Sequence, residues 1–428
     1  MRILWQLKHK VPLMLITSII LLAAQSAAAP VAPASDIRVA DLQSHIGFLA
    51  SEELEGRESG REGGQLAANY VESNFRRVGL KPLANQDGSY QIEFEIKRPA
   101  LTCRNVVGVL AGTNPDYADS YIAIGGHHDH AGVGGPGAMG FPGEIHNGAD
   151  DNASGTSGVL ELAEYYAANP LEHPIIFMTF SAEERGLLGS KALVESNVLD
   201  NDKIMFMINL DMIGRLNEDY LFVGGLGTAT ELHDMLDPVF EKSDLELEIN
   251  DKGEAPSDNT SFFHGGIPAL FFFTHVHEDY HMPGDDADKI NYEGEVRVLN
   301  LVSEVIKTLD GATSLEFVKH GGMGMPDDFD TRMRDHYRNI MQRSSMKGKL
   351  GIRADVAGEM LTLSKVTVDS AASESGLMVG DVLLQVNGRD ITSMETLRRS
   401  LAGGLVGEEV SMIVTRDGVK KTFKATLK

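Results

Sequence analysis

The chain has 428 residues, 42% of them hydrophobic, a formal net charge of −24 and one cysteine. That length accommodates two or three domains with a large buried core, and the composition excludes a disordered chain. The acidic balance excludes a partner among nucleic acids or anionic membrane surfaces, and a lone cysteine excludes an intrachain disulfide.

The first element is a leader. Arg2, Lys8 and Lys10 precede an apolar run from Val11 to about Ala24, followed by the small residues Ala27-Ala28-Ala29. A run of roughly 14 apolar residues falls short of the ~20 that a spanning helix needs. This pattern is that of a signal peptide, residues 1–29, cleaved after Ala28 or Ala29. It implies an exported protein, periplasmic or secreted, with no stable membrane insertion after cleavage. Losing those three basic residues takes the net charge to −27. Residues 346–428 hold 12 basic and 10 acidic residues, so the acidity belongs to the body before them.

From Ile37 to about Ala312, apolar runs alternate with helical patterns. The runs Tyr121–Ile124, Ile175–Phe180, Met205–Leu210 and Ala269–Phe273 are apolar throughout and read as buried strands. The helical patterns include Ser157–Ala168, Ala229–Glu241 and Glu293–Leu309. Strands apolar on both faces and separated by helices imply an α/β fold with a mostly parallel central sheet flanked by helices. Cys103 has apolar neighbours and reads as packing. Residues 313–345, with Gly321-Gly322-Met323-Gly324, read as a linker carrying a short charged helix around Thr331–Gln342. Beyond Met346, turn signals such as Asn387-Gly388 and Asp417-Gly418 imply a separate small β-rich domain, 346–428.

Five patches in the α/β part carry the chemistry. They are Gly125-Gly126-His127-His128-Asp129, Gly148-Ala149-Asp150-Asp151-Asn152, Ser181-Ala182-Glu183-Glu184, Asn209-Leu210-Asp211-Met212 and Tyr280-His281-Met282-Pro283. Together they offer two imidazoles and three carboxylates as metal ligands, with a spare carboxylate beside one of them. Such a set suits zinc, cobalt or manganese, and having no thiolate argues against an iron–sulfur or zinc-finger site. His127, Glu183 and Asp211 follow the ends of apolar runs, where open α/β sheets place ligands. His127 and Asp129 lie on one side of an extended segment, so Asp129 could orient His127, whereas His128 and His130 point the other way as bystanders. A carboxylate of the Asp150-Asp151 pair placed between two cations can bridge them. Of Glu183 and Glu184, one can coordinate metal while its neighbour faces substrate as a general base. Asp211 ends an apolar strand, where a buried carboxylate calls for a cation.

These pieces resemble the M28 zinc peptidases of the aminopeptidase Y and bacterial leucine aminopeptidase group, over 36–312. The similarity includes the leading stretch Phe48-Leu49-Ala50-Ser51-Glu52-Glu53-Leu54-Glu55-Gly56-Arg57. The resemblance implies a zinc-peptidase α/β/α sandwich holding two Zn2+ ions. It places His127 and Asp211 on one ion, Glu184 and His281 on the other, and Asp151 between them. It makes Glu183 the catalytic base and Asp129 a support, with a cis peptide after Asp151. Tyr280 could donate to the oxyanion of the tetrahedral intermediate. The substrates implied are peptides with a free N-terminus. Lys349-Leu350-Gly351-Ile352 and Ala371–Leu383 look like parts of a PDZ domain. Backbone N–H groups of Leu350, Gly351 and Ile352 could then capture a peptide C-terminus or a regulatory segment. Two alternatives stand beside the aminopeptidase. One is a carboxypeptidase or glutaminyl-cyclase-like enzyme on the same fold, and the other a PDZ-based binding protein with a vestigial peptidase domain.

Overall fold

The computed structural model describes residues 33–428 apart from 140–142, 197, 347, 358–359 and 402–403. The expected signal peptide lies outside the described residues. No helix among the described residues is long and apolar enough to cross a membrane.

In chain order the α/β part runs α1 (Val39–Leu49), α2 (Glu62–Arg77), β1 (Gln91–Lys97), β2 (Ala100–Leu110), β3 (Tyr121–His127), α3 (Gly155–Ala168), β4 (Ile175–Phe180), α4 (Leu188–Glu195) and β5 (Ile204–Leu210). It continues with β6 (Tyr220–Gly224), α5 (Leu232–Phe240), β7 (Glu246–Asn250), α6 (Asn259–His264), β8 (Ala269–Phe273) and α7 (Tyr292–Asp310). The eight strands form one sheet in the order β1-β2-β4-β3-β5-β8-β6-β7. Its centre, β4-β3-β5-β8, is parallel throughout, so four strands deliver their C-terminal ends to one edge.

Alternation along each strand explains why both faces are apolar. Ile122, Ile124, Ile175 and Phe177 pack with α2, α3 and α7 on one face, in a core that includes Phe75, Leu162 and Val302. Ala123, Ile176, Met178 and Phe180 point to the other face, against Leu193 and Val194 of α4 and Phe262 and Phe263 of α6. A strand apolar at every position is stable only between two helical layers, as the sequence pattern implies. The helix boundaries differ by a few residues from those expected. α3 begins at Gly155 because the Asn152 side-chain oxygen accepts the Gly155 N–H at 2.8 Å.

The segment 313–328 is not a free tether. Phe317 pairs with Ala229 and Met323 with Glu254 in short β-bridges. The Gly324 N–H donates to the Glu254 carbonyl at 2.7 Å, so the glycine stretch is hydrogen-bonded to the body. α8 then spans Phe329–Ser345, longer than the helix expected around Thr331–Gln342. The C-terminal elements are β9 (Ile352–Ala357), β10 (Met360–Val366), α9 (Ala371–Ser375), β11 (Val382–Val386), β12 (Arg389–Asp390), α10 (Met394–Leu401), β13 (Glu409–Arg416) and β14 (Val419–Thr426). They form a second sheet, β14-β13-β11-β10-β9, antiparallel and built on its own core around Leu361, Leu363, Val386 and Met412. Gly351 adopts φ +82° just before the edge strand β9, while Leu350 is buried in that core.

Candidate metal centre

The C-terminal edge of the parallel strands gathers the expected residues. His127 ends β3, Glu183 and Glu184 follow β4, Asp211 follows β5, and Tyr280 and His281 lie in the loop after β8. Asp151 comes from the turn that enters α3. Its two oxygens face opposite ways. Oδ1 is 3.4 Å from His127 Nε2, and Oδ2 is 2.9 Å from His281 Nε2. On the His127 side, Asp211 Oδ1 lies 3.5 Å and Glu183 Oε2 3.9 Å from the same nitrogen. On the other side, Glu184 Oε2 lies 3.5 Å from His281 Nε2.

Two donor groups here are close enough to surround an ion: His127, Glu183 and Asp211, and next to them His130, Asp151 and Glu184. The donors fit metal on a second count. Asp211 Oδ1 is buried without a hydrogen-bond partner, which is costly for a carboxylate unless a cation faces it. Burial works against a charged His127, yet Glu183, Asp211 and Asp151 lift its pKa well above the ordinary value. Burial alone would raise the Asp151 carboxyl, but His130, His127 and His281 hold it well below the usual carboxylate range. Glu183 is pushed the opposite way, chiefly by burial and then by Glu184, Asp258 and Asp211. The pocket is thus a concentration of negative field with imidazole nitrogens set into it.

The surrounding chain fixes these side chains through the backbone. Both the Asp150 and Asp151 N–H groups donate to Asp285 Oδ2, at 2.9 and 3.0 Å. Asp150 itself turns away, accepting from the Gly214 N–H at 2.7 Å, which leaves Asp151 alone to face the site. The Asp151–Asn152 peptide is cis, as the resemblance implied, and Asn152 ties this turn to the Leu210 carbonyl at 2.9 Å. Asp211 Oδ2 accepts from Ser257 at 2.6 Å, leaving Oδ1 for the pocket. His281 Nδ1 donates to the Gly137 carbonyl at 2.6 Å, which aims Nε2 inward. Gly137 sits at φ +89°, and a side chain there would run into the Glu184 carboxylate.

One expectation needs correcting, that for His130, and one is refined, that for Asp129. Asp129 does orient His127, through its backbone carbonyl, which lies 3.0 Å from Nδ1, while its carboxylate stands 3.8 Å away. That carboxylate instead accepts from Ser59 at 2.5 Å and from the Glu183 N–H at 3.2 Å, so Asp129 supports Glu183. His130 is not a bystander. The chain leaves the strand after His127, so alternation no longer governs it, and His130 Nδ1 contacts Glu184 Oε1 at 2.6 Å. His128 does point away, buried against Thr179, with burial lowering its pKa to about 3. Tyr280 lines the pocket with its ring 3.9 Å from that of His281, and burial keeps its hydroxyl protonated.

Sequence reasoning assigned no role to Arg57, Asp285, Ser257 or Asp258. Arg57 is fully buried and donates to four carbonyls: His128 and Gly148 at 2.9 Å, Asn147 at 2.6 Å and Leu49 at 2.5 Å. It clamps the segments that carry His127 and Asp151 to α1. An arginine at a tight turn after Glu55-Gly56 was the one visible sign of it. Asp258 is buried with neither oxygen partnered, and burial raises its carboxyl to about 7.

Residues 105–306 match peptidase family M28 and residues 348–427 a PDZ domain. The chain is 28% identical over 245 residues to aminopeptidase YwaD of Bacillus subtilis, covering 54% of this chain and 50% of that protein. It spans about half the length of the curated relatives it matches. Among solved structures, its fold is shared by a Zn-dependent exopeptidase from Parabacteroides distasonis, at TM-score 0.53 and 18% identity over 64% of this chain and 98% of that one. It is shared too by the glutaminyl cyclase of Porphyromonas gingivalis, at TM-score 0.53 and 18% identity over 64% and 99%. The chain therefore carries a peptidase family M28 domain, which holds the gathered residues, followed by a PDZ domain.

Proposed function

We propose that this chain is an exported dinuclear zinc aminopeptidase, acting on peptides with a free N-terminus. The observation that carries the reading is Asp151, whose two carboxylate oxygens face His127 on one side and His281 on the other. In this reading His127 and Asp211 hold one ion, Glu184 and His281 the other, and Asp151 serves both. His130 positions Glu184. Two ions so placed would polarise the scissile carbonyl and acidify a water. Glu183 takes the proton from the attacking water and returns it to the leaving amine, its backbone fixed by Asp129. Tyr280, protonated in its buried position, donates a hydrogen bond to the developing oxyanion. The domains follow as 36–312 for catalysis, 313–345 as the connection and 346–428 as the PDZ domain. There the free edge of β9 would take a peptide C-terminus or regulatory segment as an added strand, with Leu350, Gly351 and Ile352 at its carboxylate.

The test compares hydrolysis of free and N-acetylated aminoacyl anilides by purified protein and counts its metal. Cleavage of the free series alone, with about two zinc equivalents, supports the proposal. The shared fold with a glutaminyl cyclase gives the second reading its footing. One equivalent of metal, with cyclisation of peptides beginning in glutamine and no anilide cleavage, would replace the first reading with it.

A further inference from the structure

The cavity in front of the gathered residues, about 290 Å³, is chemically divided. Its ionisable lining groups all belong to the candidate metal centre, whereas the remainder is apolar: Met212, Phe271, Phe273, Val276, Met325 and Phe329 among others. Those six share one hydrophobic cluster. Met325 and Phe329 stand out because they lie beyond residue 306, where the match to the peptidase family ends, and at the start of the helix that leads into the PDZ domain.

The helix is firmly seated. Phe329, Met333, His336 and Ile340 recur at spacings of four, three and four, which puts them on one face of α8. That face is half-buried or buried in the structure, while its charged neighbours are exposed. The Phe329 ring meets Phe273 edge-on with centroids 6.5 Å apart. Asp328, just before the helix, accepts from His275 at 2.8 Å. Further along, His336 Nε2 donates to the Tyr280 carbonyl at 2.8 Å, and Ile340 packs with Met282. α8 therefore braces the loop bearing Tyr280 and His281 while its first residue lines the cavity.

We infer that Met325 and Phe329, supplied by the connection between the two domains, are specificity-determining residues that form the wall against which the side chain of the peptide's N-terminal residue packs. That wall selects uncharged, apolar N-terminal residues and limits their size. The inference rests on the aminopeptidase reading, because only there does an N-terminal side chain enter this cavity. The physical basis is plain: among the described residues the side chains of the far wall carry no charge to meet a polar side chain, and an apolar one gains by leaving water.

The test uses the full-length, zinc-loaded protein with alanyl, leucyl, phenylalanyl and lysyl anilides. Phe329→Ala should raise the phenylalanyl-to-alanyl ratio of kcat/KM and Phe329→Trp should lower it, each by about tenfold, as a pocket altered by several methylenes would. Met325→Ala should move the ratio in the same direction as Phe329→Ala, which covers the case in which one variant fails to fold. A ratio unmoved in every folded variant, or all substrates scaled by one factor, would overturn the inference and leave α8 a brace alone. A wild type that prefers lysyl substrates would overturn it as well. A wild type that cleaves no free-amine anilide would instead overturn the aminopeptidase reading, and this inference with it.

Discussion

Glu183 and Asp151 sit within one pocket, yet the structure gives them different surroundings and so different expected phenotypes. Glu183 flanks the His127 nitrogen at 3.9 Å, whereas Asp151 stands between two imidazoles. Glu183→Gln should keep fold and metal while kcat falls about 10²–10⁴-fold, because only the proton carrier is lost. Asp151→Ala should lose metal and the stability that metal supplies. Elemental analysis and kcat on both variants check this, and equal loss of metal from the two would contradict the assignment. Arg57 makes the other residue-scale case. Its guanidinium satisfies four carbonyls, and burial lowers its pKa only to about 10, so it remains charged. Arg57→Met should destabilise the protein by on the order of 3–5 kcal/mol, since the carbonyls lose their donors and nearby acids their buried counter-charge. Urea unfolding measures that loss.

Among the elements, α1 shows how one buried side chain ties stability to pH. His45 on its inner face contacts the Tyr70 hydroxyl at 2.8 Å, and burial, helped by Arg77, lowers its pKa from 6.5 to about 4. The folded state thus keeps His45 neutral where the unfolded chain takes up a proton. Its contribution is complete above pH 6.5, declines as pH falls towards 4, and changes no further below that. The size is at most about 3 kcal/mol. Urea midpoints at pH 7, 5.5 and 4 should therefore fall less steeply for His45→Gln than for the wild type. A parallel decline in both would show that His45 is not the group responsible. α8 teaches a different lesson at this scale. Its charged sequence reads as a solvated connector, and the stripe that seats it amounts to four residues.

At the scale of the whole molecule the two sheets have separate cores, and the C-terminal one draws its buried residues from 350–427. Removing residues 346–428 leaves α8 and both of its cavity residues in place. The shortened protein should hydrolyse a small aminoacyl anilide with near-normal kcat, while longer peptides show a changed KM. Ending the chain at Ala312 instead strips Met325 and Phe329 from the cavity and bares Phe271 and Phe273, so that variant should lose activity and aggregate. Circular dichroism and kcat on the two shortened proteins separate these outcomes. If both were equally active, the connection would have no part in the site.

The sequence by itself determined the layered architecture and the residues that the pocket gathers. Runs such as Ile175–Phe180 can be buried only between two helical layers, and clustered imidazoles and carboxylates without thiolates imply a hard-to-borderline metal. Both are local statements about residue type and order. What the tertiary structure decided was everything that depends on distance across the chain. It turned Asp151 rather than Asp150 into the pocket, because the Gly214 N–H, 64 residues later, captures the Asp150 carboxylate. It chose the carbonyl of Asp129, not its carboxylate, to support His127, and brought His130 against Glu184. It placed Arg57 beneath the loops that carry His127 and Asp151, and Phe329 at the cavity wall, beyond the end of the domain it serves. Side-chain periodicity predicts direction only while the chain stays regular, and these residues lie just past the ends of strands or in turns. There the hydrogen bonds of distant segments set the geometry, and no local pattern encodes them.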